Sequence, residues 1–183
     1  IKYGYINVGK IINGPKNLIN KNIFTLFPHQ TIYEIPIKNV NLLPKKNLRK
    51  YVLVANMETA INIFWDSCSN KNDRILIFGL GSVGLLTAYF FKLQNYKNVF
   101  VYDNNINKKK YAKLLGLSYI NFKHAKNFNI IINTTSNYQV SEKSMALLVN
   151  EGKIVEASWY GSKKGNLSLG DYFHSKRLKI ISS

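Results

Sequence analysis

Three glycines follow an apolar run at residues 75–78 in the spacing Gly79-x-Gly81-x-x-Gly84. In a strand-to-helix turn, the first glycine permits the tight bend, the second lets a pyrophosphate approach the backbone, and the third lets the helix pack on the strand. Asp103 ends the next apolar run, 22 residues beyond Gly81. A carboxylate about 20 residues on is placed to meet the ribose hydroxyls of NAD. These residue types and spacings predict a dinucleotide site.

The predicted cofactor residues lie in the turn, after the next strand, and after the fourth strand of the same domain: Gly79, Gly81, Ser82, Val83, Gly84, Asp103, Asn104 and Thr135. Asp103 favours NAD over NADP, because a carboxylate repels a 2′-phosphate. The lysines at 108–110 lie close enough in sequence to soften that preference. The alternative is an α/β domain in which the glycine loop is incidental.

Strand and helix signals alternate along the rest of the chain. We predict strands at 75–78, 99–102, 118–120, 129–133, 152–157 and 177–181, and helices at 83–93, 107–115 and 140–149. Alternation of this kind predicts parallel βαβ units and a doubly wound α/β (Rossmann) sheet. Ligands of such sheets bind at the carboxyl ends of the strands, so residues 134–136 and 158–159 are expected near the nicotinamide half of the cofactor.

The first 54 residues carry a different pattern. Short β-type runs at 6–12, 23–27 and 31–37 are broken by Gly, Pro and Asn, which predicts a small antiparallel piece. A helical pattern follows from about residue 54 to 67. We therefore predict two domains, 1–54 and 55–183. Since the sequence opens on Ile1, we expect an interior segment of a longer protein.

Composition limits the remaining function classes. The formal net charge is +17, but only Arg49, Arg74 and Arg177 are arginines and the lysines are scattered. We interpret this as a generally basic surface rather than a specific nucleic-acid face, with nucleic-acid binding as the alternative. A single cysteine, Cys68, excludes a disulfide framework within this sequence. Without an apolar run of 18 residues or a signal-like start, we expect a cytoplasmic protein with no membrane partner.

Several motifs together resemble the medium-chain dehydrogenase/reductase superfamily, in its zinc-type alcohol dehydrogenase group. A closer resemblance is to bacterial zinc-binding dehydrogenases and bacteriochlorophyllide hydroxyethyl dehydrogenases. The residues that carry it are distributed along almost the whole sequence: Gly4-Tyr5, Val8-Gly9-Lys10-Ile11, Leu26-Phe27-Pro28-His29-Gln30, Ile35-Pro36, Leu43-Pro44, Ala55-Asn56-Met57-Glu58-Thr59-Ala60, Asp73-Arg74-Ile75-Leu76-Ile77, the glycine turn, Gly152-Lys153-Ile154-Val155, Ser158-Trp159-Tyr160-Gly161 and Phe173-His174-Ser175.

The resemblance implies part of a GroES-like catalytic domain followed by a Rossmann domain, and a homo-oligomer. It also implies NAD as cofactor and hydride transfer between the nicotinamide and a small-molecule alcohol or carbonyl substrate. This sequence differs from the family's motif at a metal-ligand position: zinc members carry Gly-His-Glu where this sequence has Gly4-Tyr5-Ile6. A tyrosine is a poor replacement for a neutral imidazole ligand. A catalytic zinc is therefore doubtful, and a structural zinc needs four thiolates that a single cysteine cannot supply.

Two further residues are candidates for catalysis. Glu58 falls where polyol-type members have a zinc-proximal glutamate, so it is a candidate catalytic residue and metal ligand; a helix-surface glutamate is the alternative. His29 could relay a proton, because an imidazole exchanges protons near neutral pH; a loop-holding histidine is the alternative. The function predicted is an NAD(H)-dependent oxidoreductase, and the alternative is a noncatalytic Rossmann scaffold or sensor.

Overall fold

The computed structural model describes residues 2–183. The chain divides into two compact units, one that ends at Ala55 and one that comprises Asn56–Ser183. The structure has no helix among the described residues that is both long enough and apolar enough to cross a bilayer.

The first unit contains a three-stranded antiparallel sheet. Its strands are β1 (Asn7–Lys10), β2 (Asn22–Thr25) and β3 (Asn41–Leu42), paired in that order. The antiparallel piece predicted from the sequence is confirmed. The strand predicted at 31–37 is wrong, because this stretch ends in a 3-10 helix at Ile37–Asn39 that is entered through Pro36, which has no N–H for a ladder bond. The third strand lies instead at β3, beyond that 3-10 helix.

The second unit is a parallel sheet with its connecting helices. The strands are β4 (Ile75–Phe78), β5 (Val99–Tyr102), β6 (Ser118–Tyr119), β7 (Phe128–Asn133), β8 (Leu148–Glu156) and β9 (Lys179–Ser182). The helices are α1 (Val54–Asp66), whose first two residues belong to the first unit, α2 (Ser82–Leu93), α3 (Lys109–Leu114), α4 (Tyr138–Ser144) and α5 (Asp171–Ser175). The strand order is β6-β5-β4-β7-β8-β9, and all five pairings are parallel. The predicted doubly wound α/β sheet is confirmed.

Two predicted boundaries in this unit are corrected. The helix predicted at 140–149 ends at Ser144 and continues only as a 3-10 turn at Met145–Leu147. β8 therefore begins at Leu148, four residues before the predicted start. The run 145–149 is apolar, and length and periodicity alone do not distinguish a short buried helix from a buried strand. The short helix α5 has no counterpart in the sequence-based prediction.

The core of this unit lies on both faces of the sheet. Alternate residues of β4 point to opposite sides: Ile75 and Ile77 belong to one buried cluster, and Leu76 and Phe78 to the other. Such continuous apolar strands are typical of a parallel sheet that is covered by helices on both faces. The order in which strands are added reverses direction at β4: the chain continues to β5 on one side of β4 and later to β7 on the other side. This switch point is where open α/β sheets bind ligands, outside the carboxyl ends of the strands.

The turn from β4 into α2 depends on two glycines for steric reasons. Gly79 has φ +94°, and a Cβ there would lie 2.7 Å from Thr134 Oγ1. At Gly84, in the first turn of α2, a Cβ would collide with the carbonyl oxygen of Gly79. Helix α2 therefore lies against the end of β4 only because position 84 carries no side chain.

We expect Gly84→Ala to lower the free energy of unfolding by about 1–3 kcal/mol, because the added methyl forces the helix away from the strand. Urea unfolding followed by circular dichroism measures the loss. Gly81→Ala is the matched control, since Gly81 has φ −75° and a Cβ there meets nothing within 4 Å. Equal destabilisation by the two variants would contradict this account of the turn.

Candidate functional site

The glycine turn is open where a ligand would approach it. Gly81 is exposed, and no heavy atom lies within 4 Å of the position that a Cβ would occupy. Its φ of −75° and ψ of −174° are available to any residue. Neither the backbone conformation nor the packing within the protein therefore requires glycine at position 81.

The start of helix α2 presents unpaired backbone donors. The first helical bond runs from the N–H of Leu85 to the carbonyl of Gly81, at 3.0 Å. The N–H groups of Ser82, Val83 and Gly84 have no acceptor among residues 2–183, and no side chain caps the helix. The Val83 side chain packs on the core, whereas Ser82 is exposed. Free N–H groups at the positive end of a helix dipole form a favourable environment for an anion.

Asp103 lies directly beside this turn. Its Oδ2 accepts the N–H of Leu80 at 2.7 Å, and its Oδ1 accepts the N–H of Asn105 at 2.8 Å. Each carboxylate oxygen can accept more than one hydrogen bond, so both retain capacity for a ligand hydroxyl. The carboxylate thus joins the ends of β4 and β5 and remains half-buried at their edge.

Two side chains fix the backbone around Asp103. The hydroxyl of Tyr119 donates to the Asp103 carbonyl at 2.7 Å, and Lys108 Nζ donates to the Leu80 carbonyl at 3.1 Å. Burial, the largest cause, raises the pKa of Tyr119, so its phenol stays protonated as a donor. Lys108 therefore has a structural contact at the turn in addition to its charge.

A cavity of about 370 Å³ opens at this edge of the sheet. The glycine turn and Asp103 form one side of it, and the aromatic rings of Phe78, Tyr102 and Phe122 form an apolar wall with centroids 5.3–6.0 Å apart. The full set of lining residues is Phe78, Gly79, Gly81, Tyr102, Asp103, Asn104, Phe122, Thr134, Thr135, Asn137, Val140, Lys143 and Ser144. The volume and the mixed lining are typical of a small-molecule site.

The structure brings most of the sequence-predicted cofactor residues to one place. Gly79, Gly81, Asp103, Asn104 and Thr135 all line the cavity. Ser82, Val83 and Gly84 follow directly in the first turn of α2. Thr134 lies beside them, since its Oγ1 donates to the carbonyl of Phe78 at 2.8 Å.

A buried polar cluster lies behind the Thr134–Thr135 side of the cavity. Asn133, fully buried at the end of β7, accepts the N–H of Thr135 at 3.0 Å and its hydroxyl at 2.6 Å through Oδ1. The Asn133 amide nitrogen lies 3.0 Å from Glu156 Oε2 and 3.2 Å from the Tyr160 hydroxyl. Ser141 donates to the same Glu156 oxygen at 2.5 Å.

Sequence reasoning missed this cluster. Asn133 follows the buried apolar run 130–132, and Glu156 follows the buried pair Ile154-Val155, each at the strand end where ligands bind. A polar residue at the end of a buried apolar run was the signal in the sequence that could have revealed the cluster. Their partners, Ser141 and Tyr160, carry no spacing signature.

The predicted catalytic residues are placed as follows. His29 is exposed in the first unit, where its ring packs over the backbone of Gly4. Its backbone N–H donates to the Tyr3 carbonyl at 2.8 Å. Glu58 is exposed on helix α1 in the second unit and accepts a hydrogen bond from Asn62 one turn later, at 2.7 Å. Neither residue lines the cavity.

The residues present do not fit a zinc site. Within residues 2–183 no three His, Cys, Asp or Glu side chains are grouped so as to hold a metal ion. Tyr5, at the imidazole position of the zinc dehydrogenases, is 58% exposed, and the Glu58 carboxylate is engaged with Asn62.

Comparison with known proteins supports the fold. No family model and no curated protein sequence matches this chain. Among solved structures, a protein described as a short chain alcohol dehydrogenase from Escherichia coli CFT073, complexed with NADH, has a TM-score of 0.78 at 17% identity and covers 96% of this chain and 66% of its own. The 2R,3R-butanediol dehydrogenase of Bacillus subtilis has a TM-score of 0.74 at 14% identity and covers 96% and 63%.

A third similar structure is a zinc-binding dehydrogenase from Sinorhizobium meliloti 1021 bound to NADP. Its TM-score is 0.70 at 15% identity, and it covers 81% of this chain and 48% of its own. The chain spans less than two thirds of the length of each of these three proteins. At such identities the similarity establishes the fold alone, a parallel α/β sheet preceded by a small antiparallel sheet.

The buried cluster makes a prediction about ionisation. Burial, together with the negative charge of Glu156, raises the pKa of Tyr160 well above 10. Unfolded tyrosine ionises near 10, so the stability that this phenol contributes is present below pH 10 and is lost as the pH rises toward its higher folded value. We expect Glu156→Gln to lower the pKa of Tyr160, because the negative charge of Glu156 is removed.

Absorbance titration of the phenolate, in the wild type and in Tyr160→Phe, identifies the contribution of Tyr160. Repeating the pair in a Glu156→Gln background measures the shift. A Tyr160 pKa that is the same with and without the Glu156 charge would contradict this picture of the cluster.

Proposed function

We propose that the protein is an NAD(H)-dependent oxidoreductase that transfers a hydride between the nicotinamide and an alcohol or carbonyl substrate. Residues 55–183 would form the nucleotide-binding domain, and residues 1–54 part of a GroES-like catalytic domain. The single observation that carries the proposal is that Gly81 lies beside open space, although no feature of the protein itself requires a glycine there. A diphosphate that must approach the main chain more closely than a side chain would allow explains the glycine.

The phosphates would meet the N–H groups of Ser82, Val83 and Gly84. These donors have no partner among the described residues, and they lie at the positive end of α2. The formal charge of +17 favours the approach of any anionic ligand. This part of the proposal depends on the backbone alone.

The adenosine would occupy the cavity next to the turn. Asp103 has acceptor capacity left for ribose hydroxyls, and the rings of Phe78, Tyr102 and Phe122 offer an apolar wall for a base. No cation pairs with Asp103 among residues 2–183. Its charge would therefore repel a 2′-phosphate, which favours NAD over NADP, while the Lys108 ammonium at the Leu80 carbonyl would weaken that repulsion.

The bound nicotinamide would supply the hydride transfer, which amino-acid side chains do not perform. The chain would bind and orient the nucleotide, and a proton must move to or from the substrate oxygen. His29 and Glu58 are the residues we assign to that transfer, since both side chains are exposed and can exchange protons. We assign no step to zinc, because the donor set does not fit it.

A noncatalytic nucleotide-binding scaffold is the second candidate. It is favoured by the replacement of the metal-binding His-Glu pair by Tyr5-Ile6, and by the ordinary structural contacts of His29 and Glu58. The two candidates share the nucleotide site. They differ only in whether a substrate is turned over.

The deciding experiment combines NADH and NADPH binding with turnover over a panel of alcohols and aldehydes, on the full-length protein with its metal content measured. We expect NADH to bind more tightly than NADPH, and at least one alcohol–carbonyl pair to be interconverted. Binding without turnover would favour the scaffold. Absence of nucleotide binding would overturn both.

Gly81→Val tests the carrying observation directly. We expect the Kd for NADH to rise at least about 10-fold, because the isopropyl group fills the space that the diphosphate needs. Stability should change by less than about 1 kcal/mol, since Gly81 is exposed and a Cβ there meets no protein atom within 4 Å. An unchanged Kd in a folded variant would contradict the assignment of the glycine turn as the diphosphate-binding site.

A further inference from the structure

Glu156, a half-buried residue at the end of β8, has one carboxylate oxygen in an unusual environment. Its Oε1 is buried and has no hydrogen-bond partner, and no cationic side chain pairs with the carboxylate within residues 2–183. Leaving a buried charged oxygen unpartnered costs free energy. A residue kept at that cost calls for a role other than stability.

Its contacts lead toward the cavity in two steps. Oε2 accepts from the amide nitrogen of Asn133 at 3.0 Å, and the oxygen of the same amide accepts both the N–H and the hydroxyl of Thr135, at 3.0 and 2.6 Å. Thr135 lines the cavity. A Cβ at Gly79 would lie 3.0 Å from its methyl group, so Thr135 also packs against the glycine turn.

The chemistry of the carboxylate makes this relay directional. An ionised carboxyl group only accepts hydrogen bonds, so the face of Asn133 that it meets must be the NH₂ group. The amide oxygen is then directed at Thr135, which needs an acceptor for both of its donors. A neutral amide in place of Glu156 could both donate and accept, so it would no longer oppose the reversed orientation of Asn133, which the Asn137 carbonyl at 3.1 Å and the Thr135 N–H would then oppose without it.

We infer that Glu156 is a positioning residue for nucleotide binding: it fixes the amide orientation of Asn133, which holds Thr135 and the loop after β7 against the glycine turn. The inference rests on the proposed function for its ligand. It assigns no contact between Glu156 and the nucleotide. Ser141, which donates to Oε2 at 2.5 Å, holds the carboxylate in place.

The first test measures the position of Thr135 without any ligand. Amide hydrogen exchange of Thr135, followed by NMR, reports its bond to Asn133. We expect Glu156→Gln to accelerate this exchange about 3- to 10-fold, because the charged acceptor that helps to fix the amide orientation is lost and the Asn137 carbonyl alone remains as an acceptor-only partner. Glu151→Gln is the matched control, with the same change of charge at an exposed position of the same strand; it should leave the exchange unchanged. Unchanged exchange in Glu156→Gln overturns the inference.

A reversed pair distinguishes positioning from general disruption. Asn133→Asp alone places two carboxylates about 3.0 Å apart and should loosen Thr135 further. In the double variant Asn133→Asp with Glu156→Gln, a donor again faces an acceptor between the two positions, and the carboxylate introduced at position 133 still accepts from Thr135, but it loses the bond to the Asn137 carbonyl. We therefore expect exchange slower than in Asn133→Asp alone without full return to the wild-type rate. Exchange in a folded double variant that is as fast as in Asn133→Asp alone contradicts the relay.

The second test adds NADH. We expect Glu156→Gln to raise the Kd about 3- to 10-fold, in step with the exchange, and the double variant to bind NADH more tightly than Asn133→Asp alone. Faster exchange at Thr135 with an unchanged Kd overturns the inference but leaves the proposed function intact. A wild type that binds no NADH overturns the proposed function and, with it, the binding role of Glu156, while the exchange result alone still decides whether Glu156 orients Asn133.

Discussion

The close approach of helix α2 to the end of β4 is the constraint on which the site depends. Gly84 allows it, because any side chain there would strike the Gly79 carbonyl. The approach directs the first turn of the helix at the carboxyl edge of the sheet, where its N–H groups have no partner of their own among the described residues. Asp103 then completes the turn by accepting from Leu80 on one side while it faces the cavity on the other. The same few atoms thus determine packing, backbone geometry and the chemistry offered to a ligand.

The polar ends of the central strands extend this principle. The last residues of β7 and β8, Asn133 and Glu156, each follow buried isoleucine or valine residues and enter a hydrogen-bond cluster. Such a cluster contributes little net stability, because desolvation offsets its hydrogen bonds. It does restrict geometry, since donors and acceptors must match. We regard the cluster as the means by which one loop of the cavity keeps its shape.

The parallel sheet, the glycine turn and Asp103 could be predicted because each has a local signature: continuous apolar runs, glycine spacing and a carboxylate at a known offset. The strand predicted at 31–37 was wrong because β propensity there is overridden by Pro36 and the 3-10 turn that follows. The early start of β8 was missed since the run before it is equally compatible with a helix. The Asn133–Glu156 cluster joins elements that are far apart in sequence, so only the register of β7 and β8, which sets Asn133 beside Glu156, brings it together. The roles of His29 and Glu58 stay predictions.

The most direct measurement of the central claim is an NMR titration of the labelled protein with ADP-ribose, which carries the diphosphate and adenosine without the nicotinamide. The account predicts saturable shifts of the backbone amides of Gly81, Ser82, Val83 and Gly84, because these N–H groups acquire phosphate acceptors. Shifts confined to the exposed lysines, or no saturable change in these four amides, would contradict it.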